Sequence, residues 1–275
     1  MTATPRVFAH RGGRVWAPEN TLAAFRMSLE AGVYGIELDV HRCKSGELVV
    51  IHDPTLSATT NGAGQVGDID LEELRQFSAG IKFGAQFASE KIPLLSEVLE
   101  LVDGKAILNI EVKNAPRQYP GIEADLLREL RSYPHPETVV ISSFDHELLS
   151  RIHALDSRYS LAILVRRRLK DVAGYAESVG ANYVHPKFVN LAAKHVRVAH
   201  AGFLKVNAWT LNTVEEWQSG VEMHLDGIVT DDPAGCLNFL TRLVGSARPG
   251  GSVSSWWQRF CRRVKFYVRG IRHSR

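Results

Sequence analysis

Residues 35–40 read GIELDV, and residues 108–113 read LNIEVK. Each stretch is a short apolar run that ends in charged side chains two positions apart, Glu37 with Asp39 and Glu111 with Lys113. Side chains at positions i and i+2 of a β-strand point to the same side of the sheet. We therefore interpret each stretch as a buried strand whose end presents a pair of charged groups on one face.

The rest of the chain repeats this pattern, with a short apolar strand followed by an amphipathic segment of helical length. Such alternation predicts right-handed βαβ units and a parallel sheet. Eight units favour a closed (β/α)8 TIM barrel over a doubly wound open sheet, and the 275 residues suffice for a barrel of roughly 250. The strand candidates are residues 6–10, 34–40, 105–112, 138–142, 160–165, 182–185, 204–210 and 226–230.

The predicted organisation is a barrel over residues 1–245, followed by a tail over residues 246–275. The link between residues 53 and 103 is too long for a plain βα loop. We expect about residues 53–95 to form a small insertion after strand two, over the face where the carboxyl ends of the strands lie.

The composition is typical of a soluble globular protein, with 45% hydrophobic and 23% charged residues. No run approaches the roughly 18 apolar residues of a membrane span, and the start MTATPRVFAHRGG is unlike a secretory signal. Cys43, Cys236 and Cys261 are too far apart in sequence for a zinc or redox motif. We therefore expect a cytoplasmic protein with reduced thiols.

The tail differs from the body in charge. Residues 248–275 contain eight cationic residues and no acid, whereas the preceding chain has 25 cations and 30 acids. Trp257, Phe260 and Val264 recur there at helical spacing, and a basic amphipathic helix with tryptophan is typical of peripheral contact with an anionic membrane surface. The alternatives are a helix docked on the barrel, a disordered tail, or another partner, with nucleic acid disfavoured.

Three carboxylates are predicted to meet at the C-terminal rim of the barrel, where barrel enzymes place their sites. Glu37, Asp39 and Glu111 would repel one another unless a cation lies among them. A hard divalent cation, Mg²⁺ or Ca²⁺, prefers such oxygen ligands. The alternative is a set of salt bridges in which Arg11 and Lys113 are the partners.

Two histidines are candidates for acid–base chemistry, because imidazole gains and loses a proton near neutral pH. His10 ends the first strand, and His52 follows an apolar run. Arg11, next to His10, offers a planar fork for a phosphate. Trp209 ends strand seven, where it would pack against a polyol or simply fill the rim. Weaker candidates for the site are His41, His185 and Lys187.

Together these residues resemble the glycerophosphodiester phosphodiesterase family. The matching segments are AHRGG at 9–13, PENT at 18–21, GIELDV at 35–40, VVIHD at 49–53, LNIEVK at 108–113, SSFD at 142–145 and VNAWTLN at 206–212. The resemblance runs from about residue 6 to residue 235 and implies the (β/α)8 barrel. By position, it assigns acid–base catalysis to His10 and His52, divalent metal binding to Glu37, Asp39 and Glu111, phosphate binding to Arg11 and Lys113, and substrate contact to Trp209.

The resemblance also implies a reaction. Deacylated phospholipids such as glycerophosphocholine or glycerophosphoethanolamine would be hydrolysed to glycerol 3-phosphate and an alcohol. Attack by the neighbouring glycerol hydroxyl, through a cyclic phosphate, is favoured, although the sequence does not exclude direct attack by water. The sequence also does not determine which histidine is the acid and which is the base.

Two other functions compete with this interpretation. One is a lysophospholipase D or phospholipase C-like enzyme that acts on lipid head groups at a membrane. The other is a catalytically silent barrel that binds phosphodiesters, against which the intact set of histidines and carboxylates argues.

Overall fold

The computed structural model describes residues 4–246, so the predicted basic tail lies outside the described residues apart from its first position. The strands are Arg6–Ala9 (β1), Gly35–Arg42 (β2), Leu48–Val50 (β3), Ile107–Val112 (β4), Val139–Ser143 (β5), Ser160–Val165 (β6), Tyr183–Pro186 (β7), Lys205–Trp209 (β8) and Gly227–Thr230 (β9). The helices are Leu22–Ala31 (α1), Leu71–Leu74 (α2), Leu95–Val102 (α3), Ile122–Arg131 (α4), His146–Leu155 (α5), Val172–Ser178 (α6), Ala193–Ala201 (α7), Val214–Glu222 (α8) and Pro233–Ser246 (α9).

Eight of these strands close into a parallel barrel. The order around it is β1-β9-β8-β7-β6-β5-β4-β2, and β1 closes the ring by pairing with β2. The predicted TIM barrel is therefore confirmed, and each strand candidate corresponds to a barrel strand with ends within two residues.

The barrel strands are buried on both faces, as expected of a parallel sheet that is covered by helices. On β2, Ile36 and Leu38 pack outward in one apolar cluster with Phe25 of α1 and Leu99 of α3. Full burial of an apolar side chain of this size stabilises the fold by roughly 1.5–3 kcal/mol. The alternate positions of the same strand face the barrel interior, which is why polar residues there meet at one end.

The segment between β2 and α3 has a small apolar cluster of its own. Strand β3 pairs antiparallel with the end of β2, with Val50 opposite Val40. The cluster consists of Cys43, Val49, Ile51, Leu56, Val66, Leu74, Ala79 and Ile92. The insertion predicted at about residues 53–95 falls within this segment, which is thus held to the barrel by strand pairing as well as by packing.

Among residues 4–246, no helix combines the length and the apolar character needed to cross a membrane.

Glu129 on α4 is a carboxylate in an unfavourable environment. Its Oε2 atom is buried and has no hydrogen-bond partner. Burial, with a contribution from the nearby Asp125, raises its pKa to about 7. The folded protein then binds this proton more tightly than the unfolded chain does, so Glu129 lowers the stability as the pH rises from about 4.5 to about 7.

We expect Glu129→Gln to raise the free energy of unfolding at pH 8 by about 1 kcal/mol. This is less than the free energy that corresponds to the whole pKa shift, because the side chain is partly exposed. At pH 4 the gain should vanish, because the glutamate is then protonated in both states. Urea unfolding at the two pH values measures the difference. Glu100→Gln, at an exposed position of α3, is the matched control, and equal stability of Glu129→Gln and the unchanged protein at pH 8 would contradict the argument.

Candidate active site

Three carboxylates meet inside the barrel at the carboxyl ends of two neighbouring strands. Glu37 and Asp39 come from β2, and the parallel register places Glu111 of β4 directly opposite Asp39. All three are buried, and one oxygen atom from each lies within 4.8 Å of the others. This is a spacing at which carboxylate oxygens can ligate one hard cation.

Two cationic side chains contact the same carboxylates. Lys113 Nζ lies 2.9 Å from Asp39 Oδ1 and 2.5 Å from Glu111 Oε1. Arg11 Nε lies 3.3 Å from Asp39 Oδ2, and Arg11 Nη1 donates to Glu19 Oε1 at 2.7 Å. The salt bridges considered as an alternative are thus present in the same cluster.

These cations neutralise the cluster incompletely. Burial and the neighbouring carboxylates of Asp39 and Glu111 raise the pKa of Glu37 well above its ordinary value. Burial also raises the pKa of Glu111 to about 7, although Lys113 opposes the shift. The pKa of Asp39 alone is lowered, because Lys113 and Arg11 outweigh its burial. A further positive charge is needed for all three groups to be ionised at neutral pH, and a divalent cation would supply it.

The backbone of Arg11 is strained in a way that completes this arrangement. Its φ angle of 51° is in the left-handed region, which costs a non-glycine residue roughly 1–2 kcal/mol. In that conformation its N–H donates to Glu37 Oε2 at 3.0 Å, and its carbonyl accepts from the N–H of Asn20 at 2.9 Å. Asn20 also donates to Asp39 Oδ2 at 2.8 Å, so the turn after β1 is bonded to both carboxylates of β2.

His10 is oriented by a carboxylate that our sequence analysis missed. Its Nδ1 lies 2.6 Å from Asp231 Oδ1, and Asn212 Nδ2 donates to the other oxygen of that carboxylate at 2.9 Å. Since a carboxylate accepts, Nδ1 carries the proton in the neutral imidazole. The lone pair of Nε2, which lies 3.9 Å from Glu37 Oε2, is left free to accept a proton. Asp231 directly follows β9, and this position at a strand end is the sequence feature that could have predicted it as a site residue.

His52 is held through its backbone by a second histidine. His41 Nε2 lies 3.0 Å from the carbonyl of His52, and because a carbonyl only accepts, this nitrogen is the donor. His41 Nδ1 then accepts from the hydroxyl of Tyr119 at 3.0 Å. Burial lowers the pKa of His41 to about 4. His41 therefore contacts the site through the backbone of His52, and the expectation that it lines the site is wrong.

One pocket of about 490 Å³, including its open mouth, collects the predicted residues. It is lined by His10, Arg11, Glu37, His52, Asn109, Glu111, Lys113, Phe144, Leu164, Arg166, His185, Trp209 and Val229. Asp39, the eighth predicted residue, is 1% exposed and lies within the carboxylate cluster beside this pocket. Lys187, a weaker candidate, lines a different cavity.

An aromatic wall of this pocket was only partly predicted. Phe144 packs edge-to-face on Trp209, with ring centroids 5.8 Å apart, and the Arg166 guanidinium lies 4.1 Å from the centroid of Phe144. Trp209 is fixed by donating from Nε1 to the carbonyl of His185 at 2.8 Å. The pocket thus has an ionic side at β1, β2 and β4, and an aromatic side at β5 and β8.

Comparison with known proteins identifies the family. Residues 10–235 match the model of the glycerophosphoryl diester phosphodiesterase family. The chain belongs to this family. It is 40% identical over 237 residues to a glycerophosphodiester phosphodiesterase of Caldanaerobacter subterraneus subsp. tengcongensis, covering 86% of this chain and 98% of the relative. A glycerophosphodiester phosphodiesterase of Bacillus altitudinis is 37% identical, with 83% and 95% covered.

Solved structures extend the comparison. A phosphodiesterase of Oleispira antarctica, in complex with the product sn-glycerol-3-phosphate, superimposes with a TM-score of 0.81 at 28% identity, covering 86% of this chain and 97% of that one. The predicted family and the predicted enzyme class, a glycerophosphodiester phosphodiesterase, are both confirmed.

In this family member, we expect Asp231→Asn to lower the turnover number by about 10²-fold or more, because the amide no longer fixes the proton on Nδ1 of His10. The melting temperature should change little. Asp232→Asn is the matched control, since Asp232 accepts from the N–H of Gly235 at the start of α9 and asparagine serves equally well there. Unchanged turnover in Asp231→Asn would show that His10 needs no orienting group.

Proposed function

We propose that this chain is a metal-dependent enzyme that hydrolyses deacylated phospholipids, such as glycerophosphocholine or glycerophosphoethanolamine, to glycerol 3-phosphate and an alcohol. The observation that carries the proposal is one pocket lined by two histidines, two cations and two carboxylates of a buried cluster, whose third carboxylate, Asp39, lies beside the pocket. The product bound to the Oleispira antarctica relative supports the glycerol phosphate side of the reaction.

Glu37, Asp39 and Glu111 would hold the divalent cation, Mg²⁺ or Ca²⁺. The fit rests on three buried carboxylates with oxygen atoms within 4.8 Å of one another, two of which have a raised pKa in the absence of a cation. Such a cation would supply positive charge that offsets the charge of the phosphate and would make a substrate hydroxyl more acidic.

Arg11 and Lys113 would bind the phosphate and stabilise the negative charge that develops on its oxygens in the transition state. Both side chains are largely buried and already tied to fixed carboxylates, so they need little reorganisation when the substrate binds. Although burial opposes it, the field of Asp39 and Glu111 holds the pKa of Lys113 above its ordinary value, which keeps this amine charged.

His10 and His52 would move the protons. One imidazole removes a proton from the attacking hydroxyl, and the other donates a proton to the departing alcohol. We favour the glycerol hydroxyl next to the phosphate as the nucleophile, which gives a cyclic phosphate. Water then opens this ring with the two histidines in exchanged roles, as microscopic reversibility requires. Trp209 and Phe144 would pack against the carbon skeleton of the substrate.

We expect His10→Ala and His52→Ala each to lower the turnover of glycerophosphocholine by 10²-fold or more, the usual contribution of a general acid or base being about 10²–10⁴. Both variants should keep the melting temperature of the unchanged protein to within a few degrees. His153→Ala, at an exposed position of α5, is the matched control. A near wild-type rate in either active-site variant would remove that histidine from the mechanism.

Removal of the metal gives a second test with two readouts. EDTA should abolish the release of glycerol 3-phosphate, and added Mg²⁺ or Ca²⁺ should restore it. The restoring metal should also raise the melting temperature of the unchanged protein, because a ligand that binds only the folded state stabilises it. Glu111→Gln should lose this rise, while Glu100→Gln should keep it. Full activity in EDTA, or an equal rise in Glu111→Gln, would exclude this cluster as the metal site.

A second candidate is a lysophospholipase D or phospholipase C-like activity on lipid head groups. The observation in its favour is the basic tail, which we propose as a contact with an anionic membrane surface that would place a cytoplasmic enzyme peripherally at the membrane. The relative rates on glycerophosphocholine and lysophosphatidylcholine separate the two activities.

A further inference from the structure

A second cavity lies outside the barrel, between the sheet and the helices α6 and α7. Val184 of β7 and Val206 of β8 form its floor, and Val172 of α6 and Ala199 of α7 line its sides. The empty space is about 620 Å³, a volume that includes open solvent at the mouth. Its aliphatic walls are of the kind that would contact a hydrocarbon chain.

The mouth of this cavity is cationic. Arg166, Arg167, Arg168 and Lys170 follow β6 at the rim, and Lys187 faces them from the end of β7. None of the described residues that line the cavity is acidic. The arginines and lysines are exposed, so their charges are free to meet an anion that enters from solvent.

Positive charges also act on a histidine in one wall of the cavity. His195 of α7 lines it, and the charges of Arg168 and Lys194 add to desolvation in lowering the pKa of this imidazole. Val198, on the same helix, lines the cavity and is 56% exposed. The cavity therefore joins an apolar interior to a rim that combines exposed valine with positive charge.

We propose that this cavity binds a fatty acid, with the single alkyl chain between α6 and α7 and the carboxylate among the arginines of the mouth. A free phosphate would leave the apolar walls without a partner, and a neutral hydrocarbon would leave the cationic rim unpaired. An anionic amphiphile with one alkyl chain contacts both parts of the cavity, because its chain packs on the apolar walls and its anionic group pairs with the cationic rim. Among the described residues, Arg166 alone lines both this cavity and the candidate active site.

Isothermal titration calorimetry of the full-length chain with decanoate, below its micelle concentration, tests the proposal. We expect saturable binding at one site, weakened at least tenfold in Val198→Glu, because the new carboxylate repels the ligand at the rim. Val198 is exposed, so this change spares the core. Val214→Glu, at a position of α8 that is 52% exposed and does not line the cavity, is the matched control and should bind as the unchanged protein does.

Two further measurements examine the two ends of the ligand. Decanol should bind at least tenfold more weakly than decanoate. Arg167→Ala combined with Arg168→Ala should weaken decanoate binding by about tenfold or more, the usual effect of losing a charge-assisted hydrogen bond, and leave decanol binding unchanged. Equal affinity for acid and alcohol would overturn the proposal. So would decanoate binding that Val198→Glu leaves intact, because the ligand would then be held elsewhere, for example by the cations of residues 248–275.

Discussion

The burial of three carboxylates in the mouth of a closed barrel is the constraint on which the site depends. Removing such charges from water is costly unless cations and hydrogen-bond donors replace the lost solvation. Here Lys113, Arg11 and Asn20 do so for Asp39, which keeps this one carboxylate ionised. For Glu37 and Glu111 the neighbouring cations do not offset the cost of burial, and the pKa of each is raised. A further positive charge beside them would favour their ionised forms. The divalent cation proposed above would supply this charge.

The parts of this structure that follow from local periodicity were accessible from the sequence. Short apolar runs that alternate with segments of helical length predicted the barrel strands, and the end of each run predicted which side chains lie at the rim. Glu37, Asp39 and Glu111 were predicted to meet because two rules, strand alternation and the common edge of parallel strands, act together. The observed register, with Asp39 opposite Glu111, agrees with both rules.

Contacts that depend on closure of the ring were not accessible. Asp231 and His10 are separated by 221 positions and meet because β9 pairs with β1. Phe144 and Arg166 directly follow β5 and β6, but the sequence contains nothing that distinguishes them from the other residues at strand ends. His41 was misassigned for a related reason. It extends the series that begins with Glu37 and Asp39, but β3 and the segment after it cover that end of β2, so its ring is buried against Tyr119.

The hairpin of β2 and β3 has an implication for how the site evolves and misfolds. His10 and the carboxylates belong to the barrel, but His52 reaches the pocket only because Val50 is paired with Val40 and the N–H of Ile51 donates to the carbonyl of Asp39. In a strand, a displacement of one residue turns every side chain to the opposite face. A slip of one residue in the register of this hairpin would therefore turn His52 out of the pocket while the ring of parallel strands remained intact. Under the proposed mechanism, such a slip would abolish turnover without breaking the barrel.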